Sequence, residues 1–255
     1  MSTPLPPEVL AFDAVVLAGG RARRLGTSKP QLVVDGARLL DHVLAATRDA
    51  RATVVVGPAD LASDAYVLTR EDPPFGGPVA GTAAGLAALP DGAAPWVLLL
   101  ACDVPRAAEA VPLLVASVAG APRAGTSGDV VDGVHLAAGG KAQWLVGLYR
   151  REALDAAVAR VAHDVPVGDP SDGDPSGGDP SGGPRTGTAS GPSSSGLHGA
   201  PVRRLVSGLR LLEVEDVDGL STDVDTWQDA ESYAHRRAQS STPSHDLHGS
   251  SGGMA

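Results

Sequence analysis

The run Ala14-Val15-Val16-Leu17-Ala18 is closed by Gly19-Gly20 and followed by Arg21, Arg23, Arg24 and Lys29, and it constrains this chain more than any other stretch. A continuous apolar run cannot alternate between core and solvent. It reads as a strand covered on both faces, the situation of a parallel sheet. Two glycines at its carboxyl end let the backbone turn sharply and bring N–H groups close to a ligand. The cations after the turn either suit a polyphosphate or form a solvated basic loop between strand and helix. The spacing is not G-x-G-x-x-G, because Arg21 stands where the second glycine belongs, and no G-x-x-x-x-G-K-[ST] occurs. Lysine appears only at Lys29 and Lys141, while other basic positions are arginine. A compact ammonium is not interchangeable with a guanidinium fork. Lys29 therefore reads as a phosphate ligand, with an exposed loop lysine as the alternative.

A strand buried on both faces needs neighbours and crossover helices. Residues 31–35 read as a short extended piece. Leu39, Leu40, Val43, Leu44 and Thr47 recur at helical spacing, which predicts a helix over 38–50. Strands are expected at 53–56, 66–69 and 96–101, the last being the most apolar in the chain. A small-residue helix should open at Gly77-Pro78, where proline's missing N–H costs nothing, and run to about Leu89. A helix to about Val118, short strands and turns over 125–138, a strand at 143–149 and a helix over 151–162 follow. Helix 202–207, strand 210–214 and a last helix capped by Thr226 and running to Arg237 complete the pattern. Strands alternating with helices predict the α/β class, a mostly parallel, doubly wound sheet in one domain over 11–164 and 201–237. Residues 1–10 read as a Pro-rich, flexible lead-in and 238–255 as a disordered tail. Between the two parts of the domain, Gly-Asp-Pro-Ser recurs at 168–171, 173–176 and 178–181. Such a segment buries too little apolar surface to offset its ordering entropy, so 165–200 reads as a disordered low-complexity insertion. Its closure cost grows only logarithmically with length.

Charge and residue usage narrow the function. A net charge of −10 argues against a general nucleic-acid binder, which needs a basic face, but not against a small anionic substrate. One cysteine excludes an intramolecular disulfide and a cysteine-based zinc site, and the histidines show no H-x-x-x-H spacing. The amino terminus lacks a basic n-region and a long apolar h-region, and no apolar run reaches bilayer length. The expectation is a cytoplasmic protein with no membrane partner.

Three features point to one site. The first is the glycine turn with Arg24 and Lys29. The second is Asp103, at the carboxyl end of the most apolar strand, the edge at which open α/β sheets bind ligands. The third is the amino terminus of the Gly77-Pro78 helix, whose free N–H groups and dipole favour anions. An anion cradle with one or two carboxylates is what a Mg²⁺–nucleotide complex requires. A helix-cap or turn aspartate is the alternative for Asp103.

LAGGRARRLGTSKPQL (17–32), GGPVAGTAAGL (76–86), ACDVP (101–105) and DVDTWQDAESY (223–233) stand in an order and at spacings that resemble the nucleotidyltransferases of GT-A/Rossmann-like fold. Among these the chain is similar to the molybdenum cofactor guanylyltransferase-like group. The resemblance implies a Mg²⁺-dependent transfer of GMP from GTP to molybdopterin with release of pyrophosphate, and transient contact with molybdoenzyme-maturation proteins. It implies nucleotide contacts by Leu17, Ala18, Gly19 and Gly20, with Gly77 and Gly81 at the second glycine motif. Arg24 and Lys29 would neutralise the triphosphate, and Gly57 and Asp72 would lie at base and ribose. Asp103 would hold Mg²⁺, joined by Asp225 or Asp223. Guanylyltransferases of this group usually show Asn-x-Asn-Thr before the last helix, where this chain has Asp223-Val224-Asp225-Thr226, closer to cytidylyltransferase relatives. Position 57 is glycine where a side-chain contact to the base is usual, and Gln143-Trp144 stands at the pterin-facing part. CTP in place of GTP, another phosphorylated acceptor, and a nucleotide-binding module without catalysis remain as alternatives.

Overall fold

The computed structural model describes residues 10–20, 28–119, 130–164 and 196–240. Arg21, Arg23 and Arg24, most of the 165–200 segment and both termini lie outside the described residues.

The first strand, β1 (Phe12–Leu17), is buried along almost its whole length, as the apolar run from Ala14 to Leu17 requires. Around it lie β4 (Thr53–Val56), β5 (Val67–Thr69) and β6 (Trp96–Ala101), all parallel to it in the order β5-β4-β1-β6. Beyond β6 the sheet continues through β8 (Lys141–Arg150), β7 (Gly133–Ala138) and β9 (Leu211–Glu215). β8 runs antiparallel to both of its neighbours, while β9 is parallel to β7. The sheet is thus mostly parallel. The short pair β2 (Val33–Val34) and β3 (Ala37–Arg38) forms a separate ribbon.

Helices cover both faces. On one, α1 (Leu39–Leu44) and α3 (Ala107–Ala119) pack against Ala14, Val16, Leu98 and Leu100. On the other, α2 (Gly77–Ala87), α4 (Arg151–His163) and α5 (Val202–Val206) pack against Val15, Val54, Val56 and Leu99. The small residues of α2 let it lie close to the sheet: a Cβ at Gly85 would stand 2.4 Å from Val15 Cγ1. The last helix, α6 (Trp227–Ser240), joins the ribbon in a third cluster of Leu32, Val34, Leu39, Val224, Ala230 and Tyr233. No described helix is long and apolar enough to cross a membrane.

Local outcomes differ from the sequence pattern in four places. The 38–50 helix is α-helical only to Leu44 and tightens into a 3₁₀ turn, Ala45–Thr47, where the Thr47 hydroxyl donates to Leu44 O at 3.0 Å. Of the 125–138 stretch expected as short strands and turns, 125–129 lie outside the described residues, and 133–138 form a single strand whose register with β8 shifts between His135 and Leu136. Residues 196–200, expected at the end of the disordered insertion, are packed. Leu197 and Ala200 are buried, and Gly199 N–H donates to Gly76 O at 2.8 Å. Burying these apolar side chains against α2 outweighs the glycine-rich composition around them. Finally, α6 continues to Ser240, past the expected start of the tail.

Candidate active site

The carboxyl ends of β1, β4, β5 and β6 open onto a cleft of about 830 Å³. At its floor β1 gives way to Gly19 and Gly20. Gly20 has φ of 150°, a conformation that a side chain rarely adopts, so the turn itself asks for glycine. Lys29 enters from a 3₁₀ turn, Lys29–Gln31, with Pro30 buried beneath it. Asp103 stands two residues past the end of β6, and the intervening Cys102 N–H donates to Leu17 O at 3.0 Å, locking the end of β6 to the end of β1. Asp225 comes from the irregular stretch between β9 and α6. That stretch is pinned where Val224 N–H donates to Asp103 O at 2.9 Å and the Val224 side chain is buried.

These elements bring the two charges expected to share a nucleotide into contact. Lys29 Nζ donates to Asp103 Oδ2 at 2.7 Å and also to Asp225 Oδ1. Burial works against the Lys29 ammonium, but Asp103 and then Asp225 outweigh it and raise its pKa above the ordinary lysine value. The hydrogen bond from Lys29 holds Asp225 below the usual carboxylate range. Asp223 goes the other way: partial burial, then the nearby carboxylates of Asp225 and Asp103, push it up. Asp103, Asp223 and Asp225 each offer an oxygen within 4.8 Å of the others. Three hard oxygen donors converging from two chain segments fit a Mg²⁺-type cation. The segment ends in a reciprocal cap, as expected for Thr226. Thr226 N–H and Oγ1–H donate to Asp229 Oδ2 at 2.7 and 2.8 Å, and Asp229 N–H donates back to Thr226 Oγ1 at 3.2 Å.

Among the residues expected at the site, Leu17, Gly19, Gly20, Lys29, Gly77, Gly81, Asp103 and Asp225 all line the cleft. Ala18 lies buried behind it, its N–H donating to Val56 O at 2.8 Å. Gly57 sits deeper still: a Cβ there would lie 2.9 Å from Leu61 Cδ1 and 3.3 Å from Ala18 Cβ, so packing alone accounts for glycine. Asp72 is exposed and lines a separate hollow of about 190 Å³ with Ala83, Ala84, Leu197 and His198. Its neighbour Glu71 reaches the cleft instead, and Glu71 Oε1 accepts from Phe75 N–H at 3.0 Å. Glu71, Phe75 and Leu145 are among the lining residues that sequence reasoning missed. Two adjacent acids after a strand carry no sign of which one faces inward.

The sequence profile of the MobA-like NTP transferase domain matches residues 14–167. The chain belongs to that family. A probable molybdenum cofactor guanylyltransferase of Trichormus variabilis is 39% identical over 100 residues, covering 37% of this chain and 47% of that protein. The molybdenum cofactor guanylyltransferase of Pseudomonas syringae is 34% identical over 109 residues, covering 40% and 50%. The matches thus span about half the length of these MobA-like relatives. Molybdopterin-guanine dinucleotide biosynthesis protein A of Archaeoglobus fulgidus superposes with a TM-score of 0.58 at 16% identity, over 89% of this chain and all of that one. The 2-C-methyl-D-erythritol 4-phosphate cytidylyltransferase of Thermus thermophilus superposes with a TM-score of 0.56 at 18% identity, over 89% and 99%. Both share the fold of this chain.

Proposed function

We propose that the cleft binds a nucleoside triphosphate with a divalent cation and transfers its nucleoside monophosphate to a phosphorylated acceptor, GMP from GTP to molybdopterin. The observation that carries the reading is Lys29 held between Asp103 and Asp225 at the carboxyl ends of the central strands. A terminal phosphate oxygen of the acceptor bonds to the α-phosphorus as the bond to the bridging oxygen breaks, and pyrophosphate leaves. The acceptor oxygen is already ionised, so no general base is needed, and placement and charge neutralisation carry the step. Backbone N–H groups at Gly19 and Gly20 and the amino end of α2 at Gly77 cradle phosphate oxygens. Lys29 turns from the carboxylates to the triphosphate as charge develops on the leaving group, and Arg24 joins it. Asp103, with Asp225 and Asp223, holds the cation, for which Mg²⁺ is proposed. When bound, Mg²⁺ neutralises phosphate oxygens and fixes their orientation. The names of the relatives favour GTP and molybdopterin, the setting proposed is the cytoplasm, and proteins of molybdoenzyme maturation are the proposed recipients.

Asp223-Val224-Asp225-Thr226 favours a second reading in which CTP replaces GTP. The deciding experiment incubates the protein and molybdopterin with GTP, CTP, ATP or UTP in turn and measures pyrophosphate. Release with GTP alone is expected. Release with CTP alone selects the second reading, and none with any nucleotide ends both.

A further inference from the structure

Two of the three carboxylates at the site hang from a stretch without regular structure, residues 216–226, between β9 and α6. Three carboxylates drawn together repel one another, so a slack backbone would let Asp223 and Asp225 swing away from Asp103. The stretch is not slack. At its start Asp216, itself buried, is tied to the sheet by its own N–H, which donates to Ala137 O at 2.7 Å. Its side chain then gathers the turn ahead of it. Oδ1 accepts from Leu220 N–H at 2.7 Å, and Oδ2 accepts from Ser221 N–H at 2.7 Å and from Ser221 Oγ–H at 2.6 Å. Arg106, just before α3, donates from Nη1 to Asp218 O at 2.6 Å, closing the turn from the other side. Three residues past Ser221 comes the Val224–Asp103 backbone bond.

We propose that Asp216 and Ser221 are positioning residues for the cation: their clamp on the 217–222 turn sets the register that delivers Asp223 and Asp225 to Asp103. The inference rests on the cation site of the proposed function. Asp216 touches none of the three carboxylates in any bond seen here and acts through the backbone it holds. Groups that bond directly to metal ligands are worth about 10–100-fold in metal affinity, and a clamp acting through the backbone is expected at the lower end of that range.

The test compares full-length Asp216→Asn, Ser221→Ala and Asp132→Asn with the unaltered protein. Asp132 is the control because it grips the opposite end of β9, accepting from Arg210 N–H at 2.9 Å. Mn²⁺ affinity is read from the electron paramagnetic resonance of the ion, with and without GTP, beside thermal midpoints. In Asp216→Asn an amide NH₂ must replace one accepting oxygen, and Mn²⁺ should bind about 10-fold or more weakly. Ser221→Ala, which keeps the backbone donor, should lose about 3-fold, while Ser221→Thr restores it. Asp132→Asn should lose stability with Mn²⁺ affinity unchanged. Equal Mn²⁺ affinity in all variants overturns the inference, as does an equal loss in Asp132→Asn. If Asp216→Asn fails to fold, Ser221→Ala and its threonine rescue decide alone. Absence of Mn²⁺ binding in the unaltered protein sinks the cation site itself and the clamp with it, a result distinct from tight binding that no variant disturbs.

Discussion

The two edges of the central sheet use aspartate in opposite ways. At the amino ends of the strands Asp13 is 1% exposed and fully paired: Oδ1 accepts from Ala52 N–H at 3.1 Å and Oδ2 from Ala94 N–H at 2.6 Å. It stitches the loops entering β4 and β6 onto β1. At the carboxyl ends, Asp103, Asp223 and Asp225 face one another, and among the described residues Lys29 is the one cation ion-paired with them. A carboxylate satisfied by backbone N–H groups adds stability and offers nothing to a ligand. Carboxylates crowded against one another are poorly satisfied until a cation arrives. That contrast separates a structural aspartate from a binding one more sharply than sequence context does, since both kinds border apolar strands.

The strongest way to break the contrast is Asp103→Asn. If the crowded edge binds the cation, pyrophosphate release should fall about 1,000-fold, more than the loss of a supporting bond, with the thermal midpoint unchanged or raised. Near-normal release would place Asp103 with Asp13 as a structural residue. The mirror experiment is Asp13→Ala, which strands two backbone donors, one of them fully buried. Stability should drop by about 3 kcal/mol, a midpoint shift of roughly 10 °C, with turnover per folded molecule preserved. Calorimetry beside the pyrophosphate assay reads both numbers at once.

How much of this was legible in sequence follows from how local each cause is. The glycine turn after β1, Lys29, Asp103 and the Thr226 cap are written in short stretches, and each stands where its neighbours implied. The doubly wound sheet was legible for the same reason, because β1 from Ala14 onward and all of β6 are apolar runs. The misses depend on contacts far along the chain. Nothing near Glu71 and Asp72 says which acid turns into the cleft. Leu197 and Ala200 sit in glycine-rich company, and only the cluster they share with α2, α4 and α5 gives them a place to bury. The Asp216 clamp reads in sequence as an ordinary polar turn. Its meaning comes from the 2.9 Å bond that ties Val224 to Asp103, 121 positions earlier.

The smallest predicted effect sharpens the contrast most, because its sign is unusual. Partial burial, then Asp225 and Asp103, raise the Asp223 carboxyl in the folded protein. A group whose folded value lies above its unfolded value supports the fold while protonated, below the unfolded value. That support is lost as pH rises through the folded value. At neutral pH the ionised Asp223 is therefore a net burden. Asp223 is exposed, so solvent screens most of the repulsion and leaves roughly 0.5 kcal/mol. Asp223→Asn should accordingly raise the thermal midpoint by about 1–2 °C in metal-free buffer at pH 7. The gain should vanish at pH 3, where the carboxyl is protonated in both states. The same variant should bind Mn²⁺ more weakly, so one substitution trades cation affinity for stability. A fall in midpoint at pH 7 would mean that Asp223 is a satisfied carboxylate like Asp13, leaving the cation to Asp103 and Asp225.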